Sequence, residues 1–540
     1  MSERKNPNKL QEKREFKTRS GIPVKDLYTP SDLKEWEYAE KLSSSGEYPF
    51  TRGINPASER INWRISQYFG FGTGKSTNEF LKYVLAQGAQ HLVIAFDLPT
   101  QCGYDSDNPA SHGEVGKIGV AIDSLQDVES IFEGIPLEGR SLSPGGSNGI
   151  GPIVLAWMLA LCEKQGVSPE KVRFSFQNDP LKEFISRGAY VFPPKQAVKF
   201  AVDVVEYCHR KGFELTSPIM FCGYHMREGG ASITQAMAFT LANAVAYLDE
   251  LQNRGIKVDE FKGGLEIFLT GGEDFFEEIA ARRAFRRMWA KVMKERYNCQ
   301  NPKRLKAFLQ EYTMGSRMTA QQPLNNVIRC TIAAMAAILG GANGLIVSSY
   351  DEALGLPSPE ALRVALRTQQ IIAEESGIAN TSDPLGGSYY VESLTDEIER
   401  RATELFERVE EMGGALAAIE NHFYQNEITR TAYHDLMDIE SGRRTVIGVN
   451  KYEVEEEKTV KPMKKVTFVE ERRQAQSLKK LRRERDNDQV QRSLMRVKEA
   501  ATEKVNLIEP ILEAVKSHAT LGEICNVLSE LWGRYEQGGI

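Results

Sequence analysis

Several polar side chains stand at, or just past, the end of an apolar run, and each suggests a piece of site chemistry. Gln177 closes the run VRFSFQ at 172–177 and is followed by Asn178-Asp179-Pro180, a capping residue and then a proline suited to a first helical turn. Arg187 lies about two turns into the helix expected there. Such a guanidinium reads either as a bidentate clamp for a carboxylate or as a surface arginine. His225, in FCGYHMREGG, follows the run LTSPIMFCG in a glycine-bracketed loop. An imidazole there donates to a polarised carbonyl, serves as acid or base, or simply satisfies the local structure. Asp351-Glu352 follow NGLIVSS and read as acceptors for a ligand hydroxyl or as helix caps. Glycines 145, 146, 149 and 151 in SPGGSNGIG form a loop that cradles a ligand or turns the chain.

One stretch imitates a nucleotide site. QYFGFGTGKST at 67–77 ends in Gly74-Lys75-Ser76, the closing triplet of a phosphate-binding loop. That loop needs a second glycine five residues before Gly74, where this chain has Phe69, and a clean apolar strand leading into it, which INWRISQYFGF is not. A dinucleotide reading of the same glycines lacks the acidic residue at the end of a following strand. There is no G-x-S-x-G elbow and no kinase signature set. The remaining histidines share no metal-ligand spacing with Cys or Glu, so no directly bound metal is expected.

Strands and helices must hold these residues at one place. From Tyr48 to Tyr452 short apolar runs alternate with amphipathic segments. HLVIAFDLP (91–99), VRFSFQ, LTSPIMFCG, LEIFLTGG and NGLIVSS read as buried strands; 124–134, 193–212 and 274–297 read as helices. Roughly 400 residues of this alternation suit a (β/α)8 TIM barrel, whose site residues sit at the carboxyl ends of the strands. Three regions are expected: an N-terminal extension over 1–47, the barrel over 48–452, and a charged linker with a helical tail over 453–540. In the tail, 469–499 reads as a highly charged helix and 505–535 as an amphipathic helical pair. Its basic run Lys479–Arg485 reads as a solvated helix surface or as an interaction face. The chain is 540 residues long, 26% charged, with a net charge of −6. That balance disfavours nucleic-acid binding. The seven scattered cysteines contain no C-x-x-C, the first twenty residues are polar, and no apolar window is long enough to span a membrane. A cytoplasmic enzyme is expected.

Ten blocks, in order, carry a resemblance. They are YPFTRG (48–53), QYFGFGT (67–73), AFDLPT (95–100), GYDSD (103–107), GEVGKIGVAIDS (113–124), QNDPLKEF (177–184), GYHMREGGAS (223–232), DEALGLP (351–357), DPLGGSYYVE (383–392) and IGVNKY (447–452). With these the chain resembles the large, catalytic part of the methylmalonyl-CoA mutase family, the adenosylcobalamin-dependent acyl-CoA mutases. The resemblance implies a (β/α)8 barrel threaded by the acyl-CoA arm and capped by cobalamin. It makes Tyr68 the tyrosine between substrate and the adenosyl group. Gln177 and His225 match the pair that hydrogen-bonds the substrate, the histidine on the thioester carbonyl. Arg187 matches the arginine that holds the free carboxylate of methylmalonyl or succinyl substrates, Glu352 the glutamate on the adenosyl ribose, and Lys303 a CoA-contacting lysine. Family members acting on isobutyryl or 2-hydroxyisobutyryl thioesters differ at the places of Tyr68 and Arg187, and Ala95 also fits the methylmalonyl type.

The family's cobalamin domain supplies a histidine through D-x-H-x-x-G, and no histidine of this chain has aspartate two residues before it. By resemblance the chain is therefore expected to lack a flavodoxin-like cobalamin domain. It is expected to pair with a small cobalamin-binding subunit, in a hetero-oligomer built on a dimer of large subunits, with the C-terminal helices as candidate docking elements. The chain also departs from the family at positions that handle CoA: Ile61, Gly264, Glu266, Gln310, Tyr312, Asn343, Gly344, Ser348 and the loop SPGGS. Three readings follow: an active mutase with rearranged CoA contacts, a mutase for a different branched acyl thioester, or a non-catalytic assembly subunit. Retention of Tyr68, Gln177, Arg187, His225 and Glu352 together favours an active enzyme.

Overall fold

The computed structural model describes residues 16–33, 36–146, 149–272, 274–454 and 468–535. Most of the charged linker read at 453–465, the first fifteen residues, and Ser147 and Asn148 of the glycine loop lie outside the described residues.

Eight parallel strands form one sheet: β1 Arg64–Phe69, β2 His91–Ala95, β3 Ser141–Gly145, β4 Arg173–Phe174, β5 Met220–Cys222, β6 Glu266–Gly271, β7 Phe308–Thr313 and β8 Gly344–Ile346. Their order is β4-β3-β2-β1-β8-β7-β6-β5. The two ends meet through a parallel bridge between Ser175 and Ser217, in which Phe176 N donates to Ser217 O at 2.8 Å and Ser217 N to Phe174 O at 2.9 Å. The result is the expected (β/α)8 barrel. Its outer helices are α1 Gly74–Ala86, α2 Leu125–Ile131, α3 Gly151–Gln165, α4 Pro194–Lys211, α5 Ile233–Asn253, α6 Phe275–Glu295, α7 Asn325–Leu339 and α8 Pro359–Glu374.

Local chemistry sets the ends of these elements. Ser232 and Gln235 form a reciprocal cap at the start of α5. Gly166 and Gly212 close α3 and α4 with φ of 67° and 79°, a left-handed turn open to glycine. The triplet Gly74-Lys75-Ser76 opens α1 behind the cap Thr73, with Lys75 exposed. It is an ordinary helix start in a βα loop.

The barrel's interior is layered. Side chains two apart on a strand share a face, so Arg64, Ser66 and Tyr68 of β1 all point inward. Arg64 Nη2 donates to Gln310 Oε1 on β7 at 2.8 Å and lies 3.4 Å from Glu266 Oε1 on β6; its Nη1 lies 3.3 Å from Ser141 Oγ on β3. Those partners sit on opposite sides of β1 in the sheet, so the guanidinium crosses the axis and forms a polar floor. Gly344 of β8 leaves room for it: a Cβ there would lie 2.1 Å from Gln310 Oε1. Above the floor, Val93, Met220, Phe268 and Ile346 make an apolar layer that carries Tyr68, Tyr224 and Tyr312.

Further helices wrap the barrel. Helix α9, Tyr389–Glu411, packs on α5 and α6. It helps bury four arginines of α6. Arg282 pairs with Glu311 at 2.6 Å, Arg283 with Asp383 at 2.6 Å and Arg287 with Asp396 at 2.6 Å; Arg286 donates to the carbonyls of Phe50 and Thr51 and pins the N-terminal segment. Helix α10, Phe423–Glu440, follows. The charged tail is two helices, α11 Phe468–Glu484 and α12 Asn487–Glu503, then the amphipathic pair α13 Ile508–Lys516 and α14 Leu521–Trp532. Helix α13 covers α3, whose residues Gly151 to Cys162 are all buried. That explains why α3 is apolar all round. The tail is also tied to the βα loop after β2, where Asp105 accepts from Thr520 Oγ1 at 2.6 Å, Gly522 N at 2.7 Å and Arg482 at 2.6 Å. In the basic run, Arg482 and Arg485 are engaged inside the chain, with Asp105 and Glu523, while Lys479, Lys480 and Arg483 face solvent. Among the described residues, no helix is long and apolar enough to cross a membrane.

Candidate active site

Five of the six singled-out side chains come from the carboxyl ends of strands or the loops after them, and contacts link them into one circuit. Tyr68 stands near the end of β1. Its ring lies against the backbone of Gly145 at the end of β3, where a Cβ would fall 3.5 Å from Tyr68 Cε2 and 2.9 Å from Ile94 O. The next glycine, Gly146, has φ +82° and donates its amide to Gln177 Oε1 at 3.1 Å. A Cβ on Gly146 would lie 2.9 Å from Gln101 Cδ. Gln101 Oε1 accepts from Arg187. The glycine loop is therefore a place where side chains close over bare backbone.

Arg187 ends a single π-helical turn, Glu183–Arg187, in the loop after β4. Such a turn widens the helix and often marks a functional site. The guanidinium also faces Glu183 Oε1 at 3.4 Å. Next to Glu183, Lys182 is fully buried, and its ammonium lies 2.8 Å from His225 Nδ1. His225 meets Tyr224 edge-on at 5.0 Å, and Tyr224 stacks on Tyr312 at 5.2 Å. Tyr312 lies 5.9 Å from Tyr68, which closes the circuit, and its hydroxyl donates to Glu352 Oε2 at 3.4 Å.

At the mouth of the barrel this circuit borders a cavity of about 260 Å³, lined by Tyr68, Ala95, Tyr312, Ser349 and Glu352 among apolar walls from Phe69, Ile118, Leu356 and Pro357. Ile118 of this lining is 68% exposed.

Burial sets the electrostatics. It raises the Tyr68 hydroxyl above its ordinary value, against the opposing pull of Arg187. Burial and then the neighbouring Glu228 push Glu352 up to about 7. His225 is held well below the ordinary imidazole value, by burial first and then by Lys182 and Arg187. The site thus presents a neutral imidazole, three tyrosine hydroxyls, a carboxyl whose burial favours its protonated form, and a guanidinium.

Lys303 is not among them. It is exposed in the segment before β7, at the opposite end of the barrel, where it pairs with Glu214 at 2.6 Å.

Over residues 17–534 the chain matches the sequence model of the family described as methylmalonyl-CoA mutase. The chain belongs to the methylmalonyl-CoA mutase family. It is thereby an enzyme of the isomerase class, an acyl-CoA mutase. It is 42% identical over 531 residues to the 2-hydroxyisobutanoyl-CoA mutase large subunit of Aquincola tertiaricarbonis, covering 97% of this chain and 93% of the relative. It is 39% identical over 519 residues to the methylmalonyl-CoA mutase of Escherichia coli, covering 96% of this chain and 72% of the relative. The human mitochondrial methylmalonyl-CoA mutase is also 39% identical, over 521 residues, with 96% and 69% covered.

Within this mutase framework the sequence reading passed over four residues of the circuit. Lys182 and Glu183 stand inside QNDPLKEF and Tyr224 inside GYHMREGG, so only their neighbours drew attention. Gln101 follows AFDLPT. The available signal was their place inside, or next to, blocks that carry the resemblance. Tyr312 was noted only as a departure, yet it links Tyr68, Tyr224 and Glu352.

Proposed function

We propose that this chain is the large subunit of an adenosylcobalamin-dependent mutase that rearranges the carbon skeleton of a dicarboxylic acyl-CoA of the methylmalonyl/succinyl type. One observation supports the choice of substrate: Gln101 and Glu183 hold the Arg187 guanidinium where it acts on Tyr68, a residue of the cavity lining, and there it can take a carboxylate. A charged hydrogen bond of this kind is worth about 1.5–3 kcal/mol, one to two decades of affinity, enough to separate a diacid thioester from a neutral one. Gln177 and His225 hydrogen-bond the acyl thioester, His225 at its carbonyl. Tyr68 fills the space between substrate and cofactor and keeps water from the reacting atoms, which radical intermediates require.

The cavity fits the cofactor's adenosyl group. It is apolar, open at the mouth of the barrel, and has in Glu352 one carboxyl able to accept from ribose hydroxyls. When bound, adenosylcobalamin supplies the carbon radical that removes and returns a hydrogen atom. Its corrin would rest at the open mouth of the cavity beside Ile118, carried by a small cobalamin-binding subunit. Two facts support a separate subunit: one relative is named a large subunit, and this chain has no D-x-H sequence. The complex would be a cytoplasmic hetero-oligomer built on two large subunits. Solvent-facing Lys479, Lys480 and Arg483 of α11 offer the partner a basic contact.

A second substrate reading rests on the 42% identity to the 2-hydroxyisobutanoyl-CoA enzyme. Tyr68, Ala95 and Arg187 speak against it, because a small hydroxyacyl group offers a guanidinium no carboxylate. Calorimetric titration with succinyl-CoA and with 2-hydroxyisobutanoyl-CoA separates the two. Tighter binding of succinyl-CoA, lost by tenfold or more in Arg187→Ala, is the expected result; preference for the hydroxyacyl thioester overturns the diacid assignment. With a competent small subunit, substrate-dependent formation of cob(II)alamin distinguishes an active mutase from an assembly subunit.

A further inference from the structure

Helix α14 ends at Trp532, and after Gly533, at φ 79°, the next two residues each grip one of the loops that hold the Gln101–Arg187 pair. Arg534 takes the loop after β2. Its Nη1 donates to Cys102 O at 3.1 Å and its Nη2 to Gly103 O at 3.2 Å, and the guanidinium lies 4.1 Å from the centre of the Tyr104 ring. Those carbonyls directly follow Gln101, whose Oε1 accepts from Arg187. Gly103 permits the approach of α14: its φ is 68°, and a Cβ there would lie 2.7 Å from Cys525 Sγ. Tyr535 takes the loop after β4. Its amide donates to Val191 O at 3.3 Å, and its ring meets Phe184 edge-on at 4.8 Å and Tyr190 at 4.9 Å. Phe184 belongs to the π-helical turn that ends in Arg187 and stacks on Tyr190 at 5.1 Å, so Tyr535 braces the turn on either side of Arg187 in the chain.

Gln101 and Arg187 come from different loops, and β3 lies between their strands in the sheet. A side-chain hydrogen bond across such a gap persists only while the two backbones keep their distance. A guanidinium in turn serves a carboxylate bidentately only in a fixed orientation. We infer that Arg534 and Tyr535 are positioning residues for the Gln101–Arg187 pair: together they strap the loop after β2 to the loop after β4 and so set the site's grip on a substrate carboxylate. This rests on the reading of Arg187 as the carboxylate's partner. The two halves of the strap differ in chemistry. Arg534 holds its loop by hydrogen bonds and by the face of Tyr104. Tyr535 holds its loop by ring contacts, which Tyr535→Phe keeps and Tyr535→Ala removes. The tail thereby takes a part in substrate choice besides its packing on α3.

The test uses the full chain and two thioesters of like length, succinyl-CoA and butyryl-CoA, of which only the first carries a free carboxylate. Calorimetry should give a preference for succinyl-CoA that falls by about twofold to tenfold in Tyr535→Ala and in Arg534→Gln, with butyryl-CoA binding unchanged. Tyr535→Phe should keep the wild-type preference. In an Arg187→Ala background, Tyr535→Ala should change the preference no further. A wild-type preference in both strap variants overturns the inference. So does an equal loss for both thioesters, which marks a merely structural contact. Hydrogen exchange on the unliganded chain keeps the strap apart from the substrate reading. Releasing the strap should speed amide exchange over 97–104 and 183–191 and leave α5 at its wild-type rate. If the wild type shows no preference for succinyl-CoA while this exchange responds, the diacid reading falls and the link between the loops stands. A wild-type preference with unaltered exchange sinks the strap alone, and failure of both sinks both. Should Tyr535→Ala not fold, Arg534→Gln carries both measurements.

Discussion

The Arg187 guanidinium lies 3.4 Å from the Glu183 carboxylate, one π-helical turn away, and Glu183 is fully buried while Arg187 keeps 29% of its side chain exposed. The pair is asymmetric: the anion is buried in the protein and the cation keeps part of its surface open. Glu183 therefore orients Arg187 without neutralising it for a ligand. Arg187→Ala should reduce affinity for a diacid thioester by about tenfold to a hundredfold, the loss of one charged hydrogen bond. Arg187→Lys should recover only part of it, because an ammonium cannot replace the planar fork. Calorimetry with succinyl-CoA reads both.

Glu352 gives a pH signature. Its carboxyl is raised to about 7 in the folded chain, from an ordinary value of 4.5. A carboxyl raised on folding favours the protonated folded state. Its contribution is fully present below the unfolded value and is lost as pH rises through the folded one. Glu352→Gln removes that loss. The variant should be more stable than wild type by about 1–3 kcal/mol at pH 8, with the difference shrinking toward zero near pH 5. Urea denaturation at the two pH values checks this. Equal differences at both would place the carboxyl in water.

How far the sequence disclosed this molecule depended on the range of each interaction. Strand and loop periodicity are local, so β-α alternation, the barrel and the strand-end positions of Gln177, His225 and Glu352 were legible. The circuit was not. Lys182 meets His225 across a sequence gap of 43 residues, and Arg187 meets Gln101 across 86. No spacing rule carries such contacts. The π-helical turn was read as an ordinary helix, because PLKEFISRG has helical composition and nothing local announces the wider turn. Likewise Glu266 and Gln310 looked like isolated departures. Only the closed barrel shows that they share one partner, Arg64.

That floor makes a separate prediction. Glu266 is 1% exposed and Arg64 15% exposed, so removing the carboxylate leaves a largely buried cation with only neutral partners. Glu266→Ala should cost up to about 3–5 kcal/mol. The double variant Arg64→Met with Glu266→Met should cost less than the single one, since no charge is left behind. A double-mutant cycle in urea measures the coupling. A single variant as stable as wild type would mean that Gln310 and Ser141 alone satisfy Arg64.

The tail behaves as part of the barrel's core. Ile511 on α13 is fully buried, and α13 packs on α3, a helix with no solvent face along most of its length. Without α13 that apolar surface would meet water, and α3 carries too few polar residues to bear it. Ile511→Ala should therefore destabilise the whole chain by about 2–5 kcal/mol, as truncation in a core does. Met495, on α12, is 60% exposed, and Met495→Ala should stay within about 0.5 kcal/mol of wild type. The informative readout is the shape of the unfolding curve. One cooperative transition, shifted by Ile511→Ala, shows that the tail folds with the barrel. An early second transition that alone responds to the substitution would make the tail a separately melting element.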